Sequence, residues 1–307
     1  MTDDRFDYEV PTSAEMLAAQ NATESLRLLV AQRALYSKSK RWMGLRWIGM
    51  AAIAILGPIL SVFFPGTAVV AGAVAGLWIF LGRTTLSLCE RRQVDQAASL
   101  QELFDFRVFG MPNTGARSTT PPIEEINLLS GDDTELQQRV NSQKLRNWYP
   151  MDEEQDGLVS VAIAQRANAS YADRLLRTTA RVWTWIVVVW AAVIVSAGLV
   201  VEVALSDFIL AMVLPLLPAF LDIWEYRRLI ARAADDRRDL AAAIEQKLAD
   251  GADNLQSQDL LVWQARLFDL RRDAPQVPDF IYWLKRKQNE RAMKSAAHQI
   301  SSNVRKS

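Results

Sequence analysis

Between Trp47 and Gly82 the chain carries no charged residue, and no other feature constrains its folding as much. A helix needs ~20 predominantly apolar residues to cross the hydrocarbon core of a bilayer, so this run is long enough for two crossings. Its middle reads SVFFPGTAVV, and Pro65-Gly66 is a turn signal. The pattern predicts a hairpin of two helices, 44–64 and 66–88. A second pair of runs repeats the arrangement. Val182 to Val201 is uncharged, Phe208 to Trp224 is broken only by Asp222, and VEVALSD, with Glu202 and Asp207, separates the two. This predicts another hairpin, 181–202 and 206–225. The chain as a whole has 35 basic and 35 acidic side chains, and half its residues are hydrophobic. The even balance conceals a sharp division into charge-free and charge-rich segments. Two separate apolar stretches of this length suit lipid better than a buried soluble core.

Orientation follows from the bias of Lys and Arg toward cytoplasmic flanks. Arg33, Lys38, Lys40, Arg41 and Arg46 precede the first hairpin, and Arg83, Arg91 and Arg92 follow it. Arg174, Arg177 and Arg181 precede the second, and Arg227, Arg228 and Arg232 follow that. Neither hairpin turn has a Lys or Arg. Both turns are therefore expected outside, with both termini and the middle segment cytoplasmic. Trp42, Trp47, Trp183, Trp185 and Trp224 lie near the predicted span ends, where interfacial aromatics belong. MTDDRFDYEV is acidic and lacks an apolar core, so it does not read as a signal peptide. Cys89 is the sole cysteine, which excludes an intrachain disulfide.

The expected fold is an all-α integral membrane protein: two transmembrane hairpins, 44–88 and 181–225, and a helical cytoplasmic domain built from 1–43, 89–180 and 226–307. TSAE, Thr12 to Glu15, has capping-box spacing, and its helix is expected to run into the first span unbroken. The second span should continue through LQELFDFRVF and stop at Gly110-Met111-Pro112. NTGARSTTPP reads as a loop. A polar helix, DDTELQQRVNSQKLRNWY, is expected to end at Pro150, and a further helix to enter the third span. The fourth span should continue to Gly251. DLLVWQARLFDLRR places Leu260, Trp263, Leu267 and Leu270 at helical spacing, and Pro278 suits the first turn of a last helix.

Catalytic signatures are missing. The chain has no Walker loop, GxGxxG, GxSxG or HExxH, and a single histidine, His298, near a polar tail. Neither an enzyme nor a cofactor is expected. Three intramembrane features bear on a pore. Ala68, Gly72 and Gly76 form a small-residue stripe that lets helices approach closely, within one subunit or between subunits. Pro215 and Pro218 in LPLLPAF favour a kink. Asp222 is ionisable at the end of the same span and is a gating candidate, unless it lies at the interface. Among the polar segments, LRNWYP offers Arg146, Trp148 and Tyr149, which can meet a phosphate and stack on a base, or else form a structural aromatic corner. The tetrapeptide AQRA occurs ahead of both hairpins. Gln32-Arg33 and Gln165-Arg166 are candidates for coupling helix to cytoplasmic domain, or for ligand contact.

The order and spacing of these pieces resemble the SMODS-associating four-transmembrane effectors. LLVAQRALYSKSKRW, LQELFDFRVFGMP, LRNWYP, AQRANASYADRLLR, LPLLPAFLDIWEYRR and LRRDAPQVPDFIYWLKRKQNE carry the resemblance through nearly the whole chain. Relatives tend to have a cysteine before the second Gln-Arg pair and aromatics after the asparagine, where Ala164 and Ala169-Ser170 stand here. The resemblance implies a pore-forming effector of a bacterial antiviral or conflict system. A cognate nucleotidyltransferase would make a nucleotide second messenger, and the effector would oligomerise or open in the lipid bilayer. A homo-oligomer is expected, and no nucleic-acid polymer as partner. The residues themselves leave open a non-conducting scaffold or sensor and a small oligomeric channel or transporter.

Overall fold

The computed structural model describes residues 8–63, 68–112, 117–200 and 204–304. The Pro65-Gly66 turn and Glu202 fall outside them. The described residues form helices joined by turns and loops, with no strand among them. In chain order the helices are α1 (Ser13–Asn21), α2 (Thr23–Phe63), α3 (Ala68–Leu81), α4 (Ser87–Phe109), α5 (Ile123–Ser130), α6 (Asp133–Gln143), α7 (Gly157–Val200), the short α8 (Leu205–Asp207), α9 (Leu214–Ala249), α10 (Ser257–Arg272) and α11 (Asp279–Val304). Two wide π turns, Gly82–Leu86 and Phe208–Val213, join α3 to α4 and α8 to α9. The second ends two residues before Pro215. A proline lacks the N–H of a regular helical bond and crowds the preceding turn, so a widened turn fits there.

Local signals explain most ends. Thr12 caps α1: its hydroxyl accepts from the Glu15 N–H, and the Glu15 carboxylate accepts from the Thr12 N–H. Gly110 takes a left-handed conformation and closes α4, and Gly251, at φ +108°, follows α9. Two expectations need correction. The first helix does not run unbroken into the apolar run, because Ala22 is extended and separates α1 from α2. Asn21 sits at that break, and its amide bonds the Leu17 carbonyl and Asn147 rather than extending the helix. The polar helix also ends early. α6 stops at Gln143, since Lys144 and Asn147 both have positive φ, and LRNWYP is a turn. The α5 helix, with Ile126 and Leu129 turned inward, was not expected beyond the STTPP stretch.

Packing is dominated by α2 against α4 and α7 against α9, with α11 lying along α7 and α10 wedged among α4, α7 and α9. The polar halves of these helices share a core of Met16, Leu26, Leu29, Phe104, Phe109, Leu136, Ile244 and Leu260. Full burial of each such side chain contributes about 1.5–3 kcal/mol, and truncating one Leu to Ala costs about 2–5 kcal/mol.

The apolar halves behave differently. Two helical stretches, Gly72–Phe109 and Gly157–Val200, are long and apolar enough to cross a membrane, with mean hydropathies of 1.3 and 2.2. Only 6% of each apolar window is buried. Ile55 and Leu56 on α2 and Leu217 and Leu221 on α9 are exposed as well. Exposed apolar surface of this extent requires a non-aqueous neighbour. Close packing between these halves relies on two glycines. A Cβ on Gly49 would stand 2.0 Å from the Trp78 ring, and one on Gly198 would stand 2.6 Å from Phe208.

Candidate functional site

A cavity of about 920 Å³ opens in the polar body between α2, α7, α11, the turn after α6 and the strap that joins α10 to α11. That size suits a small-molecule ligand. Nine of its lining side chains are Lys or Arg, against two carboxylates. Those carboxylates neutralise only part of the charge: Asp279 accepts from Lys40 at 2.5 Å, and Glu290 from Arg286 at 2.6 Å. Aromatic rings alternate with the cations. The Arg33 guanidinium lies 5.5 Å from the Trp148 ring and 5.6 Å from the Tyr282 ring, and it donates to the Tyr282 hydroxyl at 2.7 Å.

Two arginines that line the cavity, Arg237 and Arg271, are buried. One nitrogen of Arg271 donates to Asp105 at 2.6 Å, while its Nε and the other Nη have no partner among the described residues. Gln32 and Gln143 line the same cavity, and each leaves a carbonyl oxygen unpaired. A buried polar group without a partner costs about 1–3 kcal/mol, so these atoms favour a polar ligand. Asp105 is fully buried and also accepts from the Tyr149 hydroxyl at 2.6 Å and from Gln264 at 2.8 Å.

The electrostatics favour binding over proton transfer. Burial opposes the charge on Arg271, but Asp105 and Tyr149 more than offset it, and its pKa stands above the usual arginine value. Burial pushes Tyr36 up to about 12 and Tyr149 well above the usual phenol range. Burial lowers Arg237 to about 10. At neutral pH these hydroxyls keep their protons and these guanidiniums keep their charge.

The cavity wall touches the membrane-facing half. Within the strap, the Gln276 carbonyl accepts from the Tyr226 hydroxyl of α9 at 2.6 Å. The Tyr226 ring lies 5.4 Å from Trp47 on α2 and 5.7 Å from Trp183 on α7, and those two indoles are 4.8 Å apart. Three long helices are thus tied at one level by an aromatic cluster whose polar tip rests on the cavity strap.

The structure brings together some of the sequence candidates and not others. Gln32, Arg33, Arg146, Trp148 and Tyr149 all line the cavity. Tyr149 is packed 6.1 Å from Phe104 and 5.2 Å from Phe109, so it serves the aromatic corner, while Trp148 presents a face beside Arg33. Gln165 and Arg166 lie behind the wall: Gln165 donates to the Leu260 carbonyl and to Gln264, and Arg166 to Glu245. Asp222 is held in an ion pair with Arg83. Gly72 and Gly76 face open space, where an added Cβ meets nothing within 4 Å, so they make no close contact among the described residues. Ala68 begins α3, and Pro215 and Pro218 lie in α9. Sequence reasoning missed Arg271, Asp105, Tyr282 and Arg286. The mixed basic and aromatic run IYWLKRK is a signal for the last two, whereas nothing local separates buried Arg271 from exposed Arg272.

Fold and cavity together define an all-helical membrane protein with a polar body that can hold an anionic, aromatic ligand. Residues 14–300 match the SMODS-associating 4TM effector domain, and the chain belongs to that family. A probable CBASS effector molecule from Bacillus cereus (strain VD146) is 24% identical over 292 residues, which cover 91% of this chain and 95% of the relative. No solved structure matches the chain.

Proposed function

We propose that the protein is a membrane effector of a bacterial anti-phage system, gated by a nucleotide second messenger that binds the basic cavity. Four helices cross the inner membrane as two hairpins, with both termini and the cavity on the cytoplasmic side. The observation that carries this reading is Arg271, a buried guanidinium on the wall of a cationic, aromatic cavity with two nitrogens unpaired. Phosphate oxygens complete such donors, and a base stacks on Trp148 beside Arg33. Family membership and the B. cereus relative support the defence setting. The reading is non-catalytic: the ligand acts by being bound.

Occupancy reaches the bilayer through the strap. A ligand against Gln276 and its neighbours strains the Tyr226 hydrogen bond and loosens the Trp47–Trp183–Tyr226 cluster. The open faces of Gly72 and Gly76 then serve contact between copies, and an apolar, dewetted pore admits ions. A second reading, a sensor with no conductance, draws on one observation: Asp222 is bonded to Arg83.

Membrane potential in cells decides between them. The protein is expressed with an active or an inactivated nucleotidyltransferase from its own locus. Depolarisation only with the active partner, abolished by Arg33→Ala, is the expected result. An unchanged potential, with the protein located in the inner membrane, would replace the effector pore with the sealed sensor.

A further inference from the structure

The start of α11 carries a largely exposed apolar face. Phe280, Trp283 and Leu284 are 60%, 55% and 73% exposed, and their spacing puts them on one side of the helix. One and two turns further along that side come Lys287 and Arg291, both exposed. The face is thus apolar at its start and cationic beyond.

Its position follows from four contacts. Asp279, the first residue of α11, bonds Lys40, two residues before Trp42 on α2. Gln276, four residues before Phe280, is bonded to Tyr226 in the aromatic cluster. Arg174 donates to Asn289 at 3.0 Å, and Ser301 bonds Gln155 just ahead of α7, so α11 runs antiparallel to α7. The beginning of α11 therefore stands where α2, α7 and α9 turn apolar, and its end points away. Four residues span at most ~14 Å, which keeps Phe280 within that distance of Gln276, whose carbonyl holds the Tyr226 hydroxyl. Exposed Trp224 lies near the same level on α9.

We propose that the first turns of α11 stand on the lipid surface, with Phe280, Trp283 and Leu284 in the interfacial layer and Lys287 and Arg291 facing anionic headgroups. Aromatic rings prefer that layer, and basic side chains just above it gain from the negative surface potential. The order of the face, apolar toward the bilayer and cationic away from it, matches the order of the layers. Tyr282, Trp283 and Arg286 on the same turns line the cavity, so the lipid surface helps hold one wall of the binding site. The proposal rests on the membrane reading above and not on the ligand's identity.

The test uses the full chain in a Cys89→Ser background, with one new cysteine at a time carrying a fluorescent probe. The protein is reconstituted in phosphatidylethanolamine–phosphatidylglycerol vesicles that contain a shallow nitroxide-labelled lipid or, in parallel, a deep one for the position inside the spans. Leu284→Cys should be quenched at least about fivefold more than Val262→Cys, an exposed position on α10. Replacing phosphatidylglycerol by phosphatidylcholine should lower that quenching about twofold. Val193→Cys on α7, exposed in the apolar half, reports the spans. Quenching at Val193→Cys with none at Leu284→Cys would overturn the lipid contact and leave the membrane reading intact. No quenching at either would overturn both. Efficient disulfide formation between two unlabelled Leu284→Cys chains under oxidation, with no quenching of the labelled form, would give the face to a second copy instead.

Discussion

The two Gln-Arg pairs share four residues of sequence and have different fates. Gln32 and Gln165 are both buried, and both tie a long helix to its neighbour, α2 to α4 through Gln101 and α7 to α10 through Leu260 and Gln264. The arginines diverge. Arg33 faces the cavity between Trp148 and Tyr282, while Arg166 makes an ion pair with Glu245 outside it. A buried glutamine therefore acts as a packing device wherever AQRA occurs, and the arginine takes its role from what lies across from it. The second pair still reaches the cavity from behind, because Gln165 bonds Gln264 and Gln264 bonds Asp105.

The harshest test of that link is Asp105→Ala. It leaves Arg271 buried without its counter-charge and should cost about 3–5 kcal/mol, read as a fall in thermal midpoint in detergent. Asp105→Asn keeps an acceptor and should cost less. Equal, small effects of both would mean that Asp105 and Arg271 do not form a charged centre behind the cavity.

The arginines come next. A hydrogen bond to a charged group contributes about 1.5–3 kcal/mol, so Arg33→Ala should weaken binding of the activating nucleotide about 10- to 100-fold. Arg166→Ala, an exposed pair whose median worth is about 0–1 kcal/mol, should change it less than about threefold. Titration calorimetry on purified protein separates the two. Equal losses would erase the distinction between the pairs.

Smaller effects refine the path to the membrane. Tyr226→Phe removes one hydrogen bond worth about 0.5–1.5 kcal/mol. It should shift the nucleotide concentration that half-triggers dye release from vesicles while leaving nucleotide affinity within about twofold. A parallel loss of affinity would make Tyr226 part of the binding wall instead. The smallest expected response is to pH. Arg237, lowered by burial to about 10, is charged below that value and neutral above it. Its attraction for an anion is present below pH 10 and lost above, so affinity should be flat from pH ~6 to ~9 and fall at higher pH.

Much of the fold was legible because its signals are local. The Thr12–Glu15 box, the Gly110 and Gly251 stops and the start of α11 after Pro278 each depend on a few adjacent residues. The breaks at Ala22 and Lys144 were not legible. They depend on contacts between Asn21 and Asn147 and between Gln20 and Tyr149, far apart in the chain. The site was half legible. Arg33, Arg146 and Trp148 stand out as basic and aromatic residues in recognisable stretches, yet nothing in the sequence says that they face one cavity.

What the sequence determined by itself is helical class and the division into apolar and polar halves, since periodicity and hydropathy are properties of neighbouring residues. What only the tertiary structure decided is the charged centre. Tyr149 and Arg271 stand 44 and 166 residues from Asp105 and meet it in the interior. Whether an arginine is a solvated surface charge or an unsatisfied donor on a cavity wall depends on which distant groups exclude water from it. That exclusion exists only once the helices have packed.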